Sequence, residues 1–264
     1  MHPVTVTRGD SPLVLGFPHT GTYVPGDIRA RLNGEGQLLR DTDWHIDALY
    51  RDLVPGVTCV AANFHRYVID ANRDPGGASL YPGQTTTGLI PQSTFDNAPI
   101  WREGQEPTKA DTAARLTAWH RPYHAALEAE LARVRARHGV AILYDCHSIR
   151  SVIPWLFDGT LPDFNIGTNE GATCAPALSD AVRARCTGSG RSTVLNGRFK
   201  GGWTTRQYGT PDAGIHTIQM ELAQSSHLAR EEPDFALDAD KAEALRGVLK
   251  HILQDLIDLA PTLA

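Results

Sequence analysis

Two short apolar runs, each leading into a histidine, constrain this chain more than any other feature. Pro12–Phe17 (PLVLGF) runs into His19, and Val140–Tyr144 (VAILY) runs into Asp145, Cys146 and His147. Runs of this length with no polar face suit strands buried on both sides, as in a parallel sheet covered by helices. A third run, His216–Leu222 (HTIQMEL), places Glu221 near its end. Thr58–Ala62 and Tyr67–Ile69 are further predicted strands. Between them lie amphipathic stretches. Asp41–Leu53 is predicted helical, with Ile46, Leu49, Tyr50 and Leu53 on one stripe. A longer helix is predicted from Lys109 to His138, stopped by Gly139 and kinked or divided at Pro122. The stretch Ala239–Leu259 is predicted as a C-terminal helix.

Apolar strands alternating with amphipathic helices predict an α/β fold with a largely parallel sheet. Ligands of such sheets bind beyond the carboxyl ends of the strands. His19, His147 and Glu221 all fall there. The connection from about residue 74 to 108 is rich in Gly, Pro, Thr and Gln, and its length fits an active-site lid or binding loop.

Composition narrows the function classes. Lys plus Arg number 25 and Asp plus Glu 30, for a formal charge of −5. Such a chain has no bulk attraction for nucleic acid or anionic membranes, so an anionic ligand needs a local cluster of cations. No apolar run approaches the ~18–20 residues of a membrane span. The start, MHPVTVTRGDSP, has no basic segment followed by an apolar one. The four cysteines contain no CxxC pair. A cytoplasmic location is the expectation. Histidine is in excess, 11 against 2 Met, and imidazole is both a metal ligand and an acid/base group.

Two imidazoles at neighbouring strand ends suit a metal site completed by a carboxylate. The carboxylates within RDTDWHID are Asp41, Asp43 and Asp47, of which Asp43 and Asp47 would share a helix face by i,i+4 spacing. Glu221, in an apolar strand, reads either as half of a buried ion pair or as a general base. Arg66, Asn72 and Arg73 in HRYVIDANRDP suit carboxylate recognition, the competing reading being pairs with Asp70 and Asp74. Arg198, Lys200 and Arg206 form a second basic cluster among glycines. His120 and His124 in HRPYH have the i,i+4 spacing of a helical zinc site but lack its glutamate, and Pro122 stands between them, so they are read as structural. Cys146 and His147 are adjacent in an extended run and point to opposite faces, which argues against a thiol–imidazole pair. No GxSxG, Walker or GxGxxG motif is present.

The segments PHTGTYVP, DTDWHIDALY, HRYVIDANRDP, YDCHS, NGRFKGGWTTRQYG and HTIQMELAQ, in that order, resemble the N-formylglutamate amidohydrolases over about Pro12–Ser226. The resemblance implies a three-layer α/β/α sandwich around a mixed, largely parallel sheet, related to zinc carboxypeptidases, with residues 1–264 as one catalytic domain. It implies zinc-dependent hydrolysis of N-formyl-L-glutamate to formate and L-glutamate. His19, Asp43 and His147 would be the metal ligands, Glu221 the catalytic carboxylate, and Asn72 with Arg73 the holder of a substrate carboxylate. Arg66 and Arg206 are the further cations for a doubly anionic substrate. The carboxypeptidase pattern HxxE is absent, because Thr22 stands where its Glu would be. Two imidazoles and a carboxylate also suit Mn, Fe or Co. A zinc carboxypeptidase or another N-acyl amino acid amidohydrolase is the alternative enzyme. A non-enzymatic metal- or amino-acid-binding protein is the alternative of another class. Oligomeric state is not encoded in any pattern found.

Overall fold

The computed structural model describes residues 1–78 and 86–264. Residues 79–85 of the predicted long loop lie outside the described residues. Seven strands form one sheet: β1 Val4–Thr7, β2 Leu13–Phe17, β3 Thr58–Ala62, β4 Ala141–Ile149, β5 Phe164–Gly167, β6 Thr193–Leu195 and β7 Ile215–Ala223. Their order is β1-β3-β2-β4-β7-β5-β6. The central four, β3, β2, β4 and β7, run parallel. β1 and β5 join this block antiparallel, and β6 pairs parallel with β5. The sheet is therefore mixed and largely parallel, as expected. Its two edges carry the reversed strands, which the sequence reading did not include.

The helices are α1 Gly26–Arg29, α2 Gly34–Gln37, α3 Ile46–Tyr50, α4 Lys109–Arg115, α5 Arg121–His138, α6 Pro176–Gly188, α7 Trp203–Tyr208 and α8 Ala239–Leu259. They make two layers because the buried strands present apolar side chains to both sides. Leu13, Leu15, Ile142 and Tyr144 face a core closed by Leu178 and Val182 of α6 and by Leu245 and Leu249 of α8. Val14, Val60, Ala141 and Leu143 face the opposite core, closed by Tyr123, Leu127, Leu131 and Val134 of α5. Among the described residues, no helix is long and apolar enough to cross a membrane.

Local corrections have physical causes. Tyr67–Ile69 is a turn, not a strand. The Val68 amide donates to the His65 carbonyl (2.9 Å) and the Tyr67 amide to His65 Nδ1 (3.1 Å), local bonds that close a turn in place of a strand ladder. The helix predicted at Asp41–Leu53 shrinks to Ile46–Tyr50. His45 stands before it at φ 61°, a left-handed conformation that breaks the helix on its N-terminal side. Strand β4 runs on to Ile149, so His147 lies inside the strand rather than past it. The predicted long helix begins at Lys109, where Thr108 and Asp111 form a capping box, and ends at Gly139 with φ 76°. The helical run divides just before Pro122, into α4 and α5, and Pro122 stands in the first turn of α5. A π turn over Leu116–His120 absorbs the missing N–H, with the Arg121 amide donating to the Leu116 carbonyl.

Candidate metal centre and substrate cavity

β4 and β7 are parallel neighbours, and their register pairs His147 with Glu221 and Asp145 with Gln219. With a period of two, all four side chains leave the same face of the sheet. His19 enters from the end of β2. Asp43 arrives on an irregular segment whose backbone is fixed from several sides. The Asp43 amide donates to the His19 carbonyl (3.1 Å), Gln224 Nε2 donates to the Thr42 carbonyl (2.9 Å), and His227 Nε2 donates to the Trp44 carbonyl (3.1 Å). Asp43 and Asp47 do not share a face. Asp43 is buried, whereas Asp47 is exposed and paired with Arg51. Asp41 is buried too, but its Oδ2 accepts from Tyr67 Oη (2.8 Å) and the Phe95 amide (3.1 Å), away from the imidazoles.

His19, Asp43 and His147 form a buried group of potential metal ligands. The two Nδ1 atoms lie 3.2 Å apart. Asp43 Oδ2 is 3.2 Å from His147 Nδ1 and 3.6 Å from His19 Nδ1. A tetrahedral ion with ligands at ~2.0–2.1 Å has ligand–ligand edges of about 3.3–3.4 Å. The far nitrogens are each backed by a carboxylate: His19 Nε2 by Asp70 Oδ1 at 2.7 Å and His147 Nε2 by Asp145 Oδ2 at 3.0 Å. An acceptor there puts the ring proton on Nε2 and turns the Nδ1 lone pair inward. Three acceptors then face one point, and such a point needs a positive charge. The surrounding electrostatics agree. Burial acts against ionisation of Asp43, yet His19 and His147 hold its carboxyl well below the usual range. Burial likewise pulls His147 down, but Asp145, Asp43 and Glu221 outweigh it and raise the imidazole well above its ordinary value. The donor set fits a divalent transition ion.

A cavity of about 80 Å³ opens beside this cluster, with His19, His147 and Glu221 on its wall. Burial pushes the Glu221 carboxyl up to about 8, His147 opposing and Asp43 adding to the rise. Its Oε2 accepts from Gln219 Nε2 (3.1 Å), and Gln219 Oε1 in turn accepts from the Gly202 amide (2.6 Å). A side chain at position 202 would meet Asn72 Nδ2 at 2.3 Å, so glycine is needed for the two walls to approach. Asn72 Oδ1 accepts from the Thr204 amide at 2.9 Å.

The predicted cationic residues part company here. Arg66, Asn72 and Arg73 line the cavity. Arg66 also pairs with Asp70 (2.9 Å) beneath the ring of Phe95, its guanidinium carbon 4.9 Å from the ring centre. Arg73 donates to the Thr87 carbonyl and hydroxyl (2.9 and 2.8 Å). Arg206 sits on α7, its Nε donating to the Gly201 carbonyl, and is not part of the cavity wall, whereas Arg198 is. Sequence reasoning did not single out Asp145, Gln219 or Phe95, and it placed Asp70 only as an ion-pair partner. Asp145 and Gln219 had a signal, since each stands two residues before a predicted site residue in a strand. Phe95 had none.

A carboxyl of raised pKa facing a buried two-histidine, one-aspartate cluster, at the carboxyl edge of a parallel sheet, is the arrangement of a metal-dependent amide hydrolase. Comparison with known proteins narrows that class. The model of the N-formylglutamate amidohydrolase family matches residues 11–228. The chain is 46% identical over 253 residues to the N-formylglutamate deformylase of Pseudomonas aeruginosa, covering 95% of this chain and 94% of that one. It is equally identical, over 254 residues and the same shares, to the protein of that name from Pseudomonas putida. The crystal structure of N-formylglutamate amidohydrolase from Ralstonia eutropha JMP134 superposes with a TM-score of 0.81 at 29% identity, covering 98% of this chain and 99% of that one. The chain belongs to the N-formylglutamate amidohydrolase family and is an enzyme of it.

Proposed function

We propose that the chain is a zinc-dependent N-formylglutamate deformylase, hydrolysing N-formyl-L-glutamate to formate and L-glutamate as the last step of a histidine degradation route. The observation that carries this reading is the buried triangle of His19, Asp43 and His147 beside a cavity that also holds Glu221 and three cationic side chains, Arg66, Arg73 and Arg198. The names of the Pseudomonas relatives supply the substrate. We read residues 1–264 as one catalytic domain, since strands drawn from both ends of the chain share one sheet. The four free cysteines support a cytoplasmic location.

In this reading His19, Asp43 and His147 hold the ion, and Asp70 and Asp145 set the imidazole tautomers. When bound, the ion supplies Lewis acidity, lowering the pKa of water and polarising the formyl carbonyl. Glu221 takes a proton from the attacking water on Oε1, the oxygen that does not receive the Gln219 hydrogen bond, and returns it to the departing amine nitrogen. A raised carboxyl pKa suits this double duty, because the group must both accept and release a proton near neutral pH. Asn72 and Arg73, with Arg66 and Arg198 beside them, bind the two substrate carboxylates. Arg206 acts from behind this wall by holding the Gly201 carbonyl. Each substrate charge must be matched locally as it leaves water, in a protein whose own charge is −5.

Formate release from N-formyl-, N-acetyl- and N-succinyl-L-glutamate and from N-formyl amino acids lacking the second carboxylate tests the reading. N-Formyl-L-glutamate is expected to be turned over fastest, with activity removed by a chelator and restored by Zn²⁺. Absence of formate release with zinc, manganese, iron and cobalt alike would overturn it.

A further inference from the structure

The HRPYH motif takes no part in the metal cluster, yet its side chains have a specific task in the fold. The segment that carries Arg66, Asp70, Asn72 and Arg73 is buried and irregular, so its carbonyls lack a sheet or helix ladder. Three of them are met by one helical face. Arg115 Nη1 donates to the Val68 carbonyl (3.0 Å), His124 Nε2 to the Ala71 carbonyl (2.7 Å) and His120 Nε2 to the Arg73 carbonyl (3.1 Å). The tautomer of His124 follows from its partners. A carbonyl can only accept, so Nε2 carries the proton, and Nδ1 accepts from Tyr208 Oη at 3.0 Å.

The π turn makes this face. In a regular α-helix, residues five apart are rotated by about 140° and look in different directions. Arg115 and His120 are five apart. The turn over Leu116–His120 closes by an i to i+5 bond, which brings both to one side, and His124 follows four residues later on the same side. The clamp also touches the other wall of the cavity. His120 and His124 pack on Trp203, at ring-centre distances of 5.6 and 4.6 Å, next to Gly202.

We propose that Arg115, His120 and His124 are positioning residues: across the π turn they clamp the backbone of residues 68–73 and so hold Asn72 and Arg73 in their substrate-binding orientation. The identity of the substrate in this inference rests on the proposed function. The test compares His124→Phe with His124→Gln in the full, metal-loaded chain. Glutamine keeps an N–H where Nε2–H was, and phenylalanine keeps the ring but no donor. Hydrogen exchange is followed on peptides spanning residues 66–75, and KM and kcat are measured with N-formyl-L-glutamate. In the phenylalanine variant we expect faster exchange across 66–75 and a KM raised about tenfold, with kcat within about twofold, as loss of one buried hydrogen bond from a binding element predicts. The glutamine variant should return both readings to within about twofold of the parent. Parental exchange and KM in His124→Phe, or a glutamine variant no better than phenylalanine, overturns the clamp. If His124→Phe does not fold, His120→Phe and His120→Gln make the same comparison at the Arg73 carbonyl. A parent chain that releases no formate defeats the proposed function, and exchange alone then decides the clamp.

Discussion

The two walls of the cavity are held by different means. On one wall, His147, Gln219 and Glu221, with Asp145 behind His147, stand on adjacent strands in the middle of the sheet, flanked on both sides by further strands. Their directions are set by main-chain register, since a strand cannot turn one side chain without slipping all of them. On the other wall, Arg66–Arg73 has no ladder, and its carbonyls are held by side chains of the helical segment opposite. The segment carrying Asp43 is of this second kind, with Gln224 and His227 on its carbonyls. Of the four groups in the ligand-and-carboxyl cluster, His147 and Glu221 sit on strands, whereas His19 lies just beyond β2 and Asp43 on a held segment. The groups proposed to meet the substrate's charges sit mainly on held loops. Damage to the strand wall should therefore appear in turnover and metal affinity, and damage to the loop wall in KM.

The largest effect sharpens the strand side of this contrast. Glu221→Gln keeps shape and the hydrogen bond to Gln219 but removes the proton acceptor. Turnover is expected to fall by a factor on the order of 10²–10⁴, with KM and metal content nearly unchanged. A kcat within tenfold of the parent (about the loss of a positioning contact) would break the assignment of Glu221 as base. A smaller effect is expected from Asp145→Asn. The amide oxygen still accepts from His147 Nε2, but the charge that makes the imidazole a stronger ligand is lost. Metal affinity, measured by competition with a chelator, should drop about 10–100-fold. Unchanged affinity would mean that strand register alone orients His147, without help from the carboxylate behind it.

The same contrast explains what could be read from the sequence. Strand-borne groups were legible because the apolar runs announce their strands, and position in a run fixes face. His147 and Glu221 came from that reasoning, and Asp145 and Gln219 were open to it by counting back two residues. Long helices were equally legible, since Ala239–Leu259 and Lys109–His138 carry apolar residues at steps of three and four, and Gly139 marks the end of the second. The loop-borne groups were not legible in the same way. Asp41, Asp43 and Asp47 are alike in sequence, and only the tertiary bonds to Thr42 and Trp44 turn Asp43 inward while Asp47 faces water. Periodicity over Asp41–Leu53 suggested a helix, but a left-handed His45, anchored by Nε2 to the Phe235 carbonyl 190 residues away, overrides it. The role of the HRPYH histidines depended on a π turn, a feature that no residue pattern in the chain announces.

The smallest effect tests whether the held loops depend on neutral histidines. His227 is fully buried, and burial drives its pKa down to about 4, the bond to the Trp44 carbonyl opposing the shift. An unfolded chain would titrate this ring near 6.5. Between about 6.5 and about 4, protons bind the unfolded chain and not the folded one. Stability from this group is complete above the unfolded value, falls as pH drops through that window, and levels off below it. At pH 5.5 the loss is about 1 kcal/mol relative to neutral pH. Other groups titrate in the same range, so the reading is a difference between two slopes. Chemical unfolding of the parent and of His227→Gln, each at pH 7 and pH 5.5, isolates it. Glutamine retains a donor for the Trp44 carbonyl but does not titrate, so the variant should lose about 1 kcal/mol less than the parent on acidification. Equal losses in the two proteins would mean that His227 takes up its proton alike in the folded and unfolded chains. The Asp43 segment would then owe its placement to Gln224 and the His19 carbonyl rather than to a buried neutral imidazole.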